Sequence, residues 1–86
     1  MKRFHIEYFD PGLIVLPFIE NTSCVSLEKM MEVSVEGSMG DRYDVLIREP
    51  ETLQVLALRE KGKGWLKGDE AANKWADRVR SKGLEI

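Results

Sequence analysis

The chain has 86 residues, of which 43% are hydrophobic and 33% charged, and a formal net charge of −2. That length suits a single domain over 1–86 with one core and is too short for two, while apolar residues recurring along most of it exclude a wholly disordered chain. One cysteine and one histidine exclude an intramolecular disulfide framework and offer no ligand set for structural zinc, so no metal or other cofactor is expected.

In chain order, KRFHIEYF (2–9) alternates cleanly. Phe4, Ile6 and Tyr8 fall on one face and Arg3, His5 and Glu7 on the other, the period of a half-buried strand. The same alternation reads as structure and not as the apolar centre of a signal peptide. DPG (10–12) supplies a proline with preset φ and a glycine that accepts positive φ, which predicts a hairpin turn. LIVLPFIE (13–20) reads as the return strand. Pro17 cannot donate a ladder hydrogen bond, which puts this strand at a sheet edge or at a bulge. A homodimer through that edge is one expectation. The longest apolar run has seven residues, LIVLPFI, against the ~20 of a spanning helix, so a cytoplasmic protein is expected.

ENTS (20–23) reads as a polar break. In CVSLEKMMEVSVEG (24–37), Met31, Val33 and Val35 alternate with polar residues and predict a strand from about residue 30. SLEK before it reads as one helical turn capped by Ser26. GSMGD (37–41) is read as a loop. RYDVLIRE (42–49) predicts a strand with Tyr43, Val45 and Ile47 on one face, and EPET turns the chain. LQVLALRE (53–60) predicts another strand, with Leu56 and Leu58 on one side and Leu53, Val55 and Ala57 on the other; its leucine content makes helix the competing reading. KGKG (61–64) follows as a hairpin tip. DEAANKWADRVRSKG (69–83) predicts a helix over about 69–82. Ala72, Trp75, Ala76 and Val79 follow the spacing of one buried stripe. Lys74, Asp77, Arg78 and Ser81 fall off it. Gly83 and Leu84 suit a helix close in which Leu84 touches Val79. The predicted fold is α+β: an antiparallel meander of five or six short strands with one C-terminal amphipathic helix.

Candidate chemistry is sparse. A Cys24–His5 nucleophilic pair competes with a buried small cysteine and a surface histidine, and the second reading is preferred. The carboxylate pairs Glu28/Glu32, Asp41/Asp44, Glu49/Glu51 and Asp69/Glu70 are read as solvated turn chemistry, not as an acid–base pair across a cleft. KGKGWLKG lacks the spacing of a phosphate-binding loop. The charge is nevertheless uneven. Residues 1–60 carry 6 Lys/Arg and 11 Asp/Glu, and residues 61–86 carry 7 and 4, so the two segments stand at −5 and +3. Lys61, Lys63, Trp65, Lys67, Lys74 and Arg78 form the candidate binding patch.

The order of elements from YDVLIRE through LQVLALRE to WLKGDEAANKWADRVR resembles, over about 24–82, the later part of small bacterial and phage PH-like domains. Those close with antiparallel strands and one amphipathic helix, with Trp75 here at the position of a characteristic helix tryptophan. The resemblance implies a recognition scaffold without catalysis. The DPG turn lacks the basic residues by which eukaryotic members hold phosphoinositides, so lipid binding is not carried over. The function expected is therefore a non-enzymatic protein–protein interaction module. A viral or mobile-element accessory protein that binds and inhibits a host factor fits that description. The alternative is a nucleic-acid-binding protein that uses the basic C-terminal quarter.

Overall fold

The computed structural model describes residues 1–83. Lys2–Phe9 forms β1, Phe18–Cys24 β2, Leu27–Ser34 helix α1, Met39–Arg42 the one-turn helix α2, Asp44–Arg48 β3, Val55–Arg59 β4, Trp65–Lys67 β5 and Gly68–Gly83 helix α3. The five strands make one antiparallel sheet in the order β2-β1-β3-β4-β5. The α+β class, the antiparallel sheet and the C-terminal helix are as the sequence predicts. One step is not sequential: after β2 the chain passes back beyond β1 to place β3 on its other side. Helices α1 and α2 make that return.

Both faces of the sheet are covered. On one, Phe4, Ile6 and Tyr8 meet Val45, Ile47, Ala57, Cys24 and Met30 of α1, with Leu27, Met31, Val35 and Met39 packed around them. On the other, Phe9, Leu46, Val55 and Leu58 meet Ala71 and Trp75 of α3, closed by Ile14, Leu16, Leu66 and Ala72. This explains why β3 reads as an unbroken apolar run: Val45, Leu46 and Ile47 are all fully buried, as befits a central strand covered twice. The Trp75 ring lies 4.6 Å from that of Phe9.

The structure revises four local readings. The return strand is FIENTSC, not LIVLPFIE. Asp10 N donates to Val15 O at 3.1 Å and Leu13 N to Asp10 O at 3.0 Å, so 10–17 is a wide loop whose Ile14 and Leu16 fold onto the α3-side core. The polar ENTS can pair because β2 is an outer strand held by its backbone. Residues 27–34 are helical, where a strand was predicted from residue 30. Ser26 Oγ accepts from Lys29 N at 3.1 Å, and Met30 and Ser34, four apart, take the buried side; a helix turn and a strand alternation place apolar residues alike over so short a stretch. GSMGD, read as a loop, includes most of α2. There Gly40 is required: a Cβ would sit 2.9 Å from Arg59 Nη1 and from Val35 Cβ, and Arg59 Nη1 donates to Gly40 O at 2.8 Å.

Residues 55–59 are strand, but their faces differ from simple alternation. The register against β3 shifts between Ile47 and Arg48, so Ile47 opposes Ala57 and Arg48 opposes Val55. Leu56 is the extra residue of a bulge. Val55 and Leu58 consequently share the α3 face, while Leu56 and Ala57 turn to the other. In α3 the buried arc is Ala71, Trp75 and Arg78; Ala76 and Val79 are exposed. The predicted contact of Leu84 with Val79 lies outside the described residues.

Candidate functional site

The chemistry that looked most available is consumed by the fold. Asp44, read as solvated, is 2% exposed, and Arg78, read as part of a surface patch, is 8% exposed. The carboxylate opens β3 where three segments converge. Its Oδ2 accepts from Gly12 N of the DPG turn at 2.9 Å and from Arg78 Nη1 at 2.6 Å; its Oδ1 accepts from Lys61 N of the β4–β5 tip at 2.6 Å. Arg78 Nε donates to Leu13 O at 2.9 Å, and Nη2 donates to Asp10 O at 3.1 Å and also to Leu13 O. The guanidinium carbon stands 5.3 Å from the centroid of the Trp75 ring. Among the described residues no buried side-chain polar atom lacks a partner. A charge pair so enclosed and so fully bonded ties loops together and presents nothing to a ligand. The available signal was positional: Arg78 lies three residues after Trp75 and seven after Ala71, on one helical arc.

The remaining patch residues do not converge. Lys61 and Lys63 are exposed on either side of Gly62, whose φ of +78° makes the tip. Trp65 is half-buried against the α1-side core. Lys67 Nζ lies 3.7 Å from Glu28 of α1, and Lys74 Nζ lies 3.9 Å from Glu60. Lys63, Trp65 and Lys74 do share a cleft of about 550 Å³ between β5 and α3, but Glu60, Glu70 and Asp77 line it as well. Two ammonium groups among three carboxylates do not make a cationic track for phosphates.

His5 and Cys24 are on opposite faces of the sheet. Cys24 is buried in the α1-side core. His5 Nδ1 lies 3.0 Å from Asn21 Oδ1 and Nε2 3.7 Å from Glu7, which in turn binds Arg48. Glu49 anchors the β3–β4 turn: Thr52 N, at 2.6 Å, Thr52 Oγ1 and Glu51 N, both at 2.9 Å, donate to its carboxylate. These bonds, that of the Thr52 amide first, hold its pKa below the usual value. Among the described residues no three His, Cys, Asp or Glu side chains are grouped to hold a metal ion, and no helix is long and apolar enough to cross a membrane.

What stays open is the outer edge of the sheet. The two edges differ. β5 has three residues, carries Lys67 and runs directly into α3. β2 has seven, and no described strand pairs with its outer side. Phe18 and Ile19 at its start are 39% and 48% exposed, Val15 in the preceding loop is 55% exposed, and Val25 just beyond its end is 67% exposed. Phe18 is fixed by rings: its centroid lies 4.8 Å from that of Tyr8 and 5.1 Å from that of Tyr43. Sheet proteins protect such edges with charge, proline, short length or cover. Within β2 the one charged residue is Glu20, and Pro17 stands before the strand. From Pro17 the sequence predicts an edge or a bulge in a strand over 13–20; β2 is an edge strand, but it spans 18–24 and Pro17 stands outside it. The chain matches no family model, no curated protein and no solved structure.

Proposed function

We propose that this protein is a non-catalytic interaction module whose working surface is the β2 edge, where a partner polypeptide adds a strand. The observation that carries this reading is the contrast between the two edges: β5 is short and runs directly into α3, and β2 is long, flanked by exposed apolar residues and paired on its outer side by no described strand. Strand addition draws affinity from main-chain hydrogen bonds and selectivity from the flanking side chains. Phe18, stacked on Tyr8 and Tyr43, supplies a rigid apolar contact of the kind that dominates interfaces. A cytoplasmic accessory protein of a virus or mobile element, inhibiting a host factor by occupying its exposed strand, is the biological setting we favour for a domain of this size.

The nucleic-acid alternative draws less support. Arg78 is inside the protein, and Lys67 and Lys74 each have an acidic neighbour, although exposed pairs of this kind are weak. The test is capture of partners with the immobilised protein and with Ile19→Lys, which places a charge on the edge without touching the core. Retention of the same partners by Ile19→Lys at undiminished yield would remove the edge from the function.

A further inference from the structure

We infer that the β2 edge accepts a second copy of this chain, antiparallel and in one register, with a two-fold axis through Asn21. This rests on the reading of the edge as the working surface and names what occupies it when no other polypeptide does, so that the second copy and a host strand compete for one edge. A two-fold dimer pairs the same strand with itself. Directly opposed residues must lie on the same face of the continuous sheet, so the axis must pass through a residue of β2 and not between residues. An axis at Glu20 sets two carboxylates directly opposite each other, which destabilises a strand pair. An axis at Thr22 leaves Phe18 and Ile19 beyond the partner's strand. An axis at Asn21, the midpoint of Phe18–Cys24, pairs all seven residues.

The side-chain placement agrees. Opposite Tyr8 and Ile6 of β1 stand Phe18 and Glu20, on the α1 face; Ile19, Asn21 and Ser23 take the α3 face. In the Asn21 register Glu20 opposes Thr22 of the second copy, and no like charges meet. Ile19 opposes Ser23 and lies diagonal to Val25. Ile19, exposed near one end of the strand, and Val25, exposed just beyond the other, thereby come together on the α3 face, because a two-fold axis sets the start of one strand beside the end of its mate. Diagonal neighbours in a strand pair are within reach of such side chains. The product is a ten-stranded sheet with α3 of both copies on one side and only the protected β5 edges free. A single strand pair falls short of the ~800 Å² per partner of a standard interface, so the dimer is one that dilution dissociates.

Sedimentation equilibrium across a concentration series should show a reversible dimer, at least tenfold weaker in Ile19→Lys. Register is read separately in a Cys24→Ala background with a short thiol-to-thiol cross-linker. Asn21→Cys should give a covalent dimer in high yield. Ser23→Cys should not, since in this register the two copies of residue 23 are four residues apart, about 13 Å along the strand. Circular dichroism confirms that each variant is folded. A monomer at all concentrations, or equal cross-linking of both cysteine variants, overturns the proposal. A monomer that still captures another polypeptide, and loses it with Ile19→Lys, overturns the second copy while leaving the edge as the binding surface. A monomer whose capture of another polypeptide survives Ile19→Lys overturns both.

Discussion

Replacing Asp44 by asparagine tests whether the buried ion pair organises the fold. The substitution keeps shape and removes charge. Asp44 accepts three hydrogen bonds, two at Oδ2 and one at Oδ1. An amide has one oxygen, so its NH2 must face at least one donor among Gly12 N, Arg78 Nη1 and Lys61 N. An unsatisfied buried donor costs about 1–3 kcal/mol. The Arg78 charge also loses its counter-ion, and breaking a buried pair in this way costs about 3–5 kcal/mol. These contributions overlap, and Arg78 keeps the carbonyls of Leu13 and Asp10, which holds the total near 3 kcal/mol, toward the low end of the range for a broken buried pair. For a domain of this size that lowers Tm by about 12–24 °C, at 4–8 °C per kcal/mol. Urea unfolding of wild type, Asp44→Asn, Arg78→Met and the double variant closes a cycle. The double variant should be less destabilised than the sum of the singles by at least ~1 kcal/mol, the coupling expected within one network. A loss below about 1 kcal/mol for Asp44→Asn, the scale of one ordinary hydrogen bond, together with additive singles, would refute the role assigned to the pair.

Three further outcomes follow from the geometry. Trp75→Ala should cost about 3–5 kcal/mol, the range for a large buried aromatic, since Trp75 is 8% exposed and packs on Phe9; an unchanged denaturation midpoint would take it out of the core. Leu53 holds φ +60° while 47% exposed, so Leu53→Gly should stabilise by about 1 kcal/mol by removing left-handed strain, and a lower denaturation midpoint would contradict this. Burial, followed by the nearby Glu20 carboxylate, pushes the Tyr8 phenol up to about 12. A folded pKa above the unfolded value of about 10 means that its contribution is complete below pH ~10 and is lost as pH rises toward 12. Phenolate absorbance should show a late step that Tyr8→Phe removes; a Tyr8 that ionises near 10 in the folded protein would count against its burial.

Elements whose pattern admits one reading are legible before any fold is known. β1 is legible because Phe4, Ile6 and Tyr8 alternate with polar residues over a full strand length. The tip at Gly62 is legible because a positive φ suits glycine, and α3 because Ala72, Trp75, Ala76 and Val79 keep helical spacing for two turns without a strand alternation. Tertiary structure decided the rest, through partners distant in the chain. Residues 27–34 are too few for period alone to separate helix from strand, and the sheet face they cover fixes the outcome. The bulge at Leu56 reverses part of β4, and only the pairing with β3 shows it. FIENTSC pairs as a strand because β1 offers a backbone edge, which polar side chains do not prevent. Arg78 is the sharpest case: an arginine is read as a surface residue because burying its charge alone is prohibitive. Asp44, 34 residues earlier in the chain, and the carbonyls of Asp10 and Leu13 remove that penalty. Their convergence is a property of the folded chain, and it takes Arg78 out of the surface patch to which its charge alone assigns it.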